Sequence, residues 1–419
     1  MNQLTADSQS ITFRERRLPD LKLGECNPQQ AVQRIIDLAA DTHASDLFLL
    51  TEEGSLTVAV RLHGQLEPVA VVSKEQGRFL INYIKAEAGI DIAERRRPLE
   101  GRWIIERDEG RIDLRINIIP TLFGEDLTAR LLDRKVGLKT LDNLGLSDGE
   151  FAKLSSLLTS PSGLILVTGP TGTGKTTTLY ACIQHLDNGS RKINTLEDPV
   201  EYAISGIRQS QANPKLGVDF PELLRNILRQ APDVIMIGEV RDEETAHTAV
   251  RAANSGHLVL ATLHAPVAAG AVQSMLALGA NPFFLSSSLL GVVAQRLLRT
   301  LCLTCRTAYD VSDSPETFAE IASFLQAGQG SYIYGPRGCE ECGQQGYRGR
   351  VGVFEIMTMN RQLRRMILDG SGADDIQRAA IASGMIEFRR GAMLKVAQGI
   401  TSTEEVLQEL PAEYLGLEF

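Results

Sequence analysis

The spacing of hydrophobic positions changes character near residue 145 of the chain. Before that point, apolar residues repeat at helical intervals after Pro28 and again from Glu75 to Ala88, with short strand-like runs between and after them. Asn27 followed by Pro28 is a typical helix start. The strand-like runs are Asp46–Leu50, Leu56–Leu62, Trp103–Glu106 and Ile112–Ile119. This pattern predicts an α+β domain that ends near Leu132.

After residue 145, short continuous apolar runs alternate with helical patterns. Runs such as Leu164–Val167 and Val234–Ile237 have the length typical of parallel strands covered on both faces. The stretch from Asn360 to Leu410 has helical periodicity. The chain is therefore predicted to contain a polar tail (1–25), an α+β N-terminal domain (26–133), a linker (134–144), an α/β core with a parallel sheet (145–301), a cysteine-bearing segment (302–348) and a helical C-terminal region (349–419).

The composition of the 419 residues restricts the class of protein. A chain of this length with 43% apolar residues can form two or three domains. The net charge of −9 disfavours nucleic acid as a direct partner. The N-terminal residues lack the apolar segment of a signal peptide, and no run of about 18 uninterrupted apolar residues occurs. We therefore expect a cytoplasmic protein that associates with a membrane only through partners.

The segment from Gly163 to Tyr180 carries the most specific motif of the chain. A predicted strand leads into a glycine-rich turn and a helix start, with the spacing G-x-x-x-x-G-K-T. In this arrangement backbone N–H groups surround a β-phosphate, Lys175 reaches the β and γ oxygens, and the Thr176 hydroxyl ligates magnesium. The predicted nucleotide-binding residues are Gly169, Pro170, Thr171, Gly172, Thr173, Gly174, Lys175, Thr176 and Thr177. The motif predicts binding of ATP with Mg²⁺.

Two acidic segments follow apolar runs. Glu239 comes after Val234–Ile237 and Gly238, where a strand beside the phosphate loop would place a carboxylate near the γ-phosphate, and we interpret it as the residue that orients the attacking water. Because Gly238 offers no carboxylate, magnesium must rely on Thr176, phosphate oxygens and water-bridged acids. Glu197, in the run NTLEDPVEY, is a second candidate for positioning metal and water. A solvated acidic turn remains an alternative for both segments.

A third apolar run ends at His264. A neutral imidazole at a strand end would sense the γ-phosphate or hydrogen-bond an acid, although an ordinary core or surface histidine fits the sequence equally well. Arg229 and Arg241 flank the strand end that carries Glu239 and are candidates for tying neighbouring elements together.

Four of the six cysteines form two C-x-x-C pairs, at Cys302 and Cys305 and at Cys339 and Cys342. Two such pairs are typical of a tetrahedral zinc site, although the intervening segment is longer than in most zinc ribbons. Disulfides are the alternative, disfavoured in a chain that is expected to stay in a reducing compartment.

The order of these motifs resembles one family of motor proteins. The runs GPTGTGKTTT, TLEDPVEY, LRQAPDVIMIGEVRDEETA and SGHLVLATLH, followed by the paired cysteines, are similar to the secretion ATPases that power type IV pilus assembly and type II secretion. The resemblance extends from about Pro28 to Leu410. It implies a RecA-like P-loop core preceded by a smaller PAS-like α+β domain, with a small zinc-binding insert. It also implies a homohexameric ring that acts on an inner-membrane platform protein and is peripheral to that membrane.

The resemblance also implies roles for individual residues. Lys175 and Thr176 would hold phosphates and magnesium, and His264 would report on the γ-phosphate. Glu239 and Glu197 would position water and metal. Three arginines of the first domain would reach the nucleotide on domain closure and neutralise charge on the transferred phosphoryl group: Arg102, Arg115 and Arg130. Surface salt bridges are the alternative for each arginine.

These inferences favour a magnesium-dependent ATPase motor for pilus assembly or type II secretion. One alternative within the same superfamily is a conjugation or type IV secretion traffic ATPase. A nucleotide-switched scaffold with little turnover is an alternative of a different class.

Overall fold

The computed structural model describes residue 18 and residues 21–107, 110–133, 137–213 and 217–415. The chain divides into two compact units: residues 1–137 with 339–345, and residues 138–338 with 346–419. The division at residue 137 falls inside the predicted linker. Most of the predicted polar tail lies outside the described residues, but Leu23 is buried in the hydrophobic core of the first unit. That unit therefore takes in residues that the sequence pattern left unassigned.

The first unit has an α+β architecture. Its described elements are α1 (Pro28–Asp41), β1 (Asp46–Thr51), β2 (Ser55–Leu62), β3 (Gln65–Ser73), α2 (Lys74–Glu87), β4 (Leu99–Arg107), β5 (Gly110–Pro120) and β6 (Glu125–Asp133). The strands form one antiparallel sheet in the order β3-β2-β1-β6-β5-β4. As predicted, Asn27 caps α1, accepting a hydrogen bond of 2.9 Å from the Gln30 amide.

The second unit is built around a mixed sheet of seven described strands. Its elements before the cysteine segment are α3 (Asp148–Leu158), β7 (Gly163–Thr168), α4 (Lys175–Leu186), β8 (Ile193–Glu197), β9 (Arg208–Gln211), α5 (Phe220–Leu228), β10 (Val234–Ile237), α6 (Glu243–Asn254), β11 (Leu258–Leu263), α7 (Ala268–Ala277), α8 (Pro282–Ser288) and β12 (Leu289–Leu301). The later elements are β13 (Thr307–Asp310), β14 (Tyr332–Gly335), β15 (Tyr347–Thr358), α9 (Arg361–Leu368), α10 (Ala373–Ala382), α11 (Phe388–Ala397), α12 (Thr403–Glu409) and α13 (Ala412–Leu415).

The strand order of this sheet is β15-β12-β7-β11-β10-β8-β9, with every pair parallel except β15 with β12. Every residue of β7, β8, β10 and β11 is buried. Along β7, Leu164 and Leu166 belong to one hydrophobic cluster, while Ile165 and Val167 belong to another. Alternate residues thus enter cores on opposite faces, as expected for a strand covered on both sides. The predicted α/β core with a parallel sheet is confirmed.

The C-terminal region is helical from Arg361 onward, as its periodicity predicts. The residues just before it differ from the predicted helical region, because β15 forms an edge strand antiparallel to β12. The helices are tied to the sheet by an ion pair between Arg299 of β12 and Glu405 of α12, whose side chains are 9% and 1% exposed. Within the described part of the chain, none of the helices combines the length and apolar character that spanning a membrane requires.

Candidate nucleotide-binding site

The glycine-rich turn joins β7 to α4 at the carboxyl end of the sheet. Gly169, Gly172 and Gly174 have φ values of 146°, 82° and 85°, a region that favours glycine. A Cβ on Gly169 would come within 2.5 Å of the Gln295 carbonyl oxygen, whereas Gly172 has nothing within 4 Å of such an atom. The backbone at Gly169 is therefore packed closely against β12, whereas the backbone at Gly172 is open to the approach of another group.

Lys175 is the first residue of α4 and folds back over the turn. Its Nζ atom donates to the carbonyl oxygens of Gly169 at 2.7 Å and Pro170 at 2.9 Å. Burial lowers the pKa of Lys175 from its ordinary value of 10.5, and the charge of Glu239 opposes this shift.

Three of the predicted residues are joined by direct polar contacts. Lys175 Nζ lies 3.4 Å from His264 Nδ1, and His264 Nε2 lies 2.8 Å from Glu239 Oε1. Because an ammonium group only donates, Nδ1 must accept from Lys175, and Nε2 then carries the proton that is donated to Glu239. One neutral imidazole tautomer therefore satisfies both contacts.

Arg241 extends this set of contacts to the other acidic segment. Its Nε atom donates to Glu239 Oε2 at 2.7 Å, and one terminal nitrogen lies 3.5 Å from an oxygen of Asp198. The hydrogen bond to Glu239 raises the pKa of Arg241 further above its ordinary value. The expectation that Arg241 ties neighbouring elements together agrees with this geometry.

Glu197 lies in a different, buried network at the end of β8. Its side chain accepts hydrogen bonds from the Thr195 hydroxyl at 2.5 Å, from Gln209 Nε2 at 3.1 Å and from the Tyr180 hydroxyl. Glu197 is 2% exposed, so these donors replace the water that a carboxylate otherwise binds. The chain continues directly from Glu197 to Asp198, which faces Arg241.

Steric contacts explain why a glycine precedes Glu239. The amide of Gly238 donates to the Leu196 carbonyl at 2.7 Å. A Cβ at this position would lie 3.1 Å from that oxygen and 3.3 Å from the Glu197 Cα. The close approach of β10 and β8 thus disfavours an aspartate at position 238.

Two residues near the turn were not identified from the sequence. Gln295 of β12 is 2% exposed and donates from Nε2 to the Thr173 carbonyl, so it supports the turn from the neighbouring strand. Tyr180 of α4 is fully buried and contacts Glu197. A glutamine inside the apolar run of β12 was the available signal for Gln295. Tyr180 carries no such signal, because an aromatic residue on a helix usually packs in the core.

The three predicted arginines of the first unit lie in one row across its sheet. Arg102 is directly opposite Arg115, Arg115 is opposite Arg130, and Arg130 is opposite Asp46. Opposite residues on neighbouring strands point to the same face. Arg102 forms a hydrogen-bonded pair with Asp113, and Arg130 contacts Asp46 at 3.3 Å, so salt bridges account for part of the row.

The four paired cysteines come together. The sulfur atoms of Cys302, Cys305, Cys339 and Cys342 all lie within 4.8 Å of one another, and none of the six cysteines forms a disulfide. Backbone amides donate to two of the sulfurs: Gly338 to Cys305 at 3.3 Å and Cys339 to Cys342 at 3.2 Å. Four sulfurs at this spacing are compatible with the donor set of a tetrahedral metal site.

Comparison with known sequences identifies close relatives. A sequence model of the family described as Type II/IV secretion system protein matches residues 25–408. The type II secretion system protein E of Pseudomonas aeruginosa is 41% identical over 378 residues, which are 90% of this chain and 74% of that protein. The type II secretion system ATPase E of Vibrio cholerae is 38% identical over 97% of this chain and 81% of its own length. The type IV pilus assembly ATPase PilB of Thermus thermophilus is 37% identical over 94% of this chain and 44% of its own length.

Solved structures share the fold. The ATPase DotB of Yersinia pseudotuberculosis, at 18% identity, superposes with a TM-score of 0.69 over 97% of both chains. The pilus retraction motor PilT, solved with bound ADP, is 25% identical and has a TM-score of 0.61 over 90% of this chain and 96% of its own. The sequence matches show that the chain belongs to the type II/IV secretion system protein family and is an ATPase of the secretion and pilus type.

Proposed function

We propose that this chain is a magnesium-dependent ATPase that works as a homohexameric motor for type IV pilus assembly or type II protein secretion. The observation that carries the proposal is the contact series from Lys175 through His264 to Glu239, at the carboxyl ends of parallel strands. Ligands of open α/β sheets bind at this edge. The names of the relatives, among them the ATPases E and PilB, support the same function.

The residues of the turn fit a triphosphate with its metal. The open space at Gly172 and the start of α4 at Lys175 suit the approach of phosphate oxygens to backbone N–H groups. Thr176 would hold Mg²⁺ through its hydroxyl, and the ion would neutralise charge on the β and γ oxygens. Lys175 would transfer its hydrogen bonds from the carbonyls of the turn to those oxygens.

Glu239 and His264 would complete the site. Glu239 is oriented by two donors, His264 and Arg241, and would in turn orient the attacking water. His264 contacts both Lys175 and Glu239. A movement of Lys175 that follows a change at the γ-phosphate would therefore shift the imidazole ring and, with it, the Glu239 carboxylate. Glu197 would act on metal and water from its buried position behind the turn.

The arginine row of the first unit supplies the second half of the proposal. Arg102, Arg115 and Arg130 would reach the nucleotide when the ring assembles and the domains close, as the resemblance implies. Like charges directly opposite one another destabilise a sheet, so a row of three arginines suits an anionic ligand, although Arg102 and Arg130 also pair with Asp113 and Asp46. The motion produced by hydrolysis would act on an inner-membrane platform protein, and the chain would lie in the cytoplasm against that membrane.

Phosphate release by the purified full chain tests this function. Lys175→Ala and Glu239→Gln should each lower kcat/KM by at least about a hundredfold, since each removes a group that contacts the reacting phosphates or water. Lys74→Ala and Glu243→Gln change exposed residues of the same types and should leave turnover unchanged. Unchanged phosphate release in both site variants would refute the motor and leave a nucleotide-switched scaffold as the better account.

We further propose that the cysteine cluster holds one structural Zn²⁺ per chain. Four thiolates complete the coordination of a structural zinc site, and backbone amides that donate to two of the sulfurs would help to orient the ligands. Elemental analysis of protein purified without chelators should find about one zinc per chain. Cys339→Ser should lose the metal, whereas Cys26→Ser, outside the cluster, should keep it. Absence of zinc from the unmutated protein would reject the assignment.

A further inference from the structure

The Tyr180 hydroxyl occupies the centre of a buried hydrogen-bond network beside the phosphate loop. It donates to Glu197 Oε2 and accepts from the backbone amides of Glu201 at 3.1 Å and Tyr202 at 3.5 Å. A phenol has one proton to donate and two lone pairs, so all of its hydrogen-bonding capacity is used. Burial and the charge of Glu197 raise the pKa of Tyr180 above its ordinary value, so the hydroxyl keeps its proton.

This network joins two segments that the proposed reaction needs in register. Tyr180 lies on α4, whose first residue is Lys175. Its three partners lie on residues 197–202, the acidic segment that includes Asp198. Asp198 faces Arg241, which is bonded to Glu239. A continuous series of contacts therefore starts and ends on the phosphate-loop helix. From Tyr180 it runs through the 197–202 segment and Arg241 to Glu239. From Glu239 it returns through His264 to Lys175.

We propose that Tyr180 is a positioning residue for ATP hydrolysis, which holds Glu197 and the following acidic segment in fixed register against the phosphate-loop helix. The inference rests on the proposed function, because the register matters only if ATP is cleaved at this turn. Tyr180 acts through Glu197 and the segment behind it, and it has no predicted contact with the nucleotide.

Tyr180→Phe keeps the buried ring and removes only the hydroxyl. We expect kcat to fall by about tenfold with KM for Mg-ATP within about twofold, since binding by the turn is preserved while the carboxylates lose their register. Combined with Glu197→Gln, the change should add little further loss, because residues that act as one unit are not additive. Tyr309→Phe, at an exposed tyrosine of β13, is the matched control and should behave as the unmutated protein.

Amide hydrogen exchange gives a readout that does not depend on turnover. In Tyr180→Phe, the amides of Glu201 and Tyr202 should exchange at least about tenfold faster, because their acceptor is gone. Thr195→Val removes the donor to the other oxygen of Glu197, so it should lower kcat without accelerating exchange at residues 201 and 202. If Tyr180→Phe does not fold, Thr195→Val still tests whether hydrogen bonds to Glu197 set kcat, and an unchanged kcat in that variant refutes the positioning role.

The outcomes separate the two proposals. If the unmutated protein hydrolyses ATP and neither Tyr180→Phe nor Thr195→Val lowers turnover, only the positioning role is refuted. Unchanged amide exchange at residues 201 and 202 in Tyr180→Phe also refutes only that role. A kcat loss that multiplies with that of Glu197→Gln also refutes it, because Tyr180 would then act independently of Glu197. Absence of phosphate release from the unmutated protein refutes the proposed function, and the positioning role of Tyr180 falls with it.

Discussion

His264 joins the phosphate loop to Glu239 through both nitrogens of one ring. Nδ1 accepts from Lys175 and Nε2 donates to Glu239, so the side chain transmits a change at one residue to the other. Neither contact was predictable in detail, because sequence gives the order of strand ends but not which atoms meet. What the apolar run before His264 does predict is its place at a strand end, beside the phosphate loop.

We predict that His264→Gln lowers kcat by about tenfold to a hundredfold, because misplacing a catalytic carboxylate by an ångström has effects of this size. The KM for Mg-ATP should change little, since the backbone of the turn is untouched. Steady-state kinetics check this, with His247→Gln on the exposed surface of α6 as the control. A large rise in KM with unchanged kcat would mean that His264 binds nucleotide rather than orienting Glu239.

Individual site residues were predictable where a motif fixes them and not where packing does. The spacing of the glycines and Lys175 identifies the turn without a structure. The role of Gly238 required the structure, because its cause is the close approach of β10 to β8. Tyr180 was missed since a buried tyrosine on a helix looks like an ordinary core residue until its hydroxyl partners are known.

Among the elements of the second unit, Glu355 of β15 is a buried carboxylate that connects three helices to the sheet. It accepts from the first amide of α7, Ala268, at 3.0 Å and from the first amide of α11, Phe388, at 3.3 Å. Gln377 of α10 donates to it at 2.9 Å. Both helix N-termini favour negative charge there. Burial is the larger influence, and it raises the pKa of Glu355 above its ordinary value of 4.5.

A pH dependence of stability follows from Glu355. Because its pKa is raised on folding, the group contributes stability that is fully present below pH 4.5 and is lost as pH rises through the raised value. Relative to Glu355→Gln, which does not titrate, the unmutated protein should therefore lose unfolding free energy between acidic and neutral pH, by about 1.4 kcal/mol per unit of pKa shift. Urea unfolding at several pH values measures this, with Glu404→Gln on the exposed face of α12 as control. The assignment would be contradicted if the unfolding free energy of the unmutated protein, relative to that of Glu355→Gln, rose with increasing pH.

Regular periodicity predicted some elements well, and interrupted periodicity hid others. The helices α1 and α2 and the buried strands of the second unit follow from spacing alone. Strand β3 was missed because Pro68 stands within it, which is tolerated on the edge that β3 occupies in its sheet. The residues of β15 were assigned to the cysteine segment and, from residue 349, to the helical C-terminal region, because pairing with β12 is a long-range contact that no local pattern reveals.

The arginine row of the first unit is where function and stability of the protein are expected to oppose each other. Arg115 has an arginine directly opposite it on each neighbouring strand. Arg115→Gln should lower kcat by about a thousandfold if it acts like other arginines supplied by domain closure. The melting temperature of the Arg115→Gln variant should stay the same or rise, because one of the like charges in the row is removed.

Arg111→Gln, at an exposed arginine of the same strand, is the control for that experiment and should leave turnover unchanged. A fall in melting temperature of Arg115→Gln with unaltered turnover would assign the row to structure alone. The sequence resemblance predicted which arginines belong together, but their alignment across three strands depends on register, which only the sheet provides.

The division of the chain into two units was predictable from the change of pattern near residue 145, and the observed boundary follows residue 137. The meeting of Cys302 and Cys305 with Cys339 and Cys342 was predictable from their spacing, because four ligands must converge to hold one metal. The fold of the segment between the two pairs was not predictable, since β13 and β14 are far apart in sequence and form a separate two-stranded antiparallel sheet.

A triphosphate with its metal is expected to occupy the turn before Lys175. Equilibrium titration of the full chain with a non-hydrolysable ATP analogue and Mg²⁺ tests this most directly. We predict one nucleotide per chain, with affinity lowered about tenfold to a hundredfold by Lys175→Ala, since a charged hydrogen bond to phosphate is lost. Thr176→Ala should weaken binding with Mg²⁺ present and have little effect without it. Undiminished affinity in Lys175→Ala, or no binding by the unmutated protein, would contradict the account.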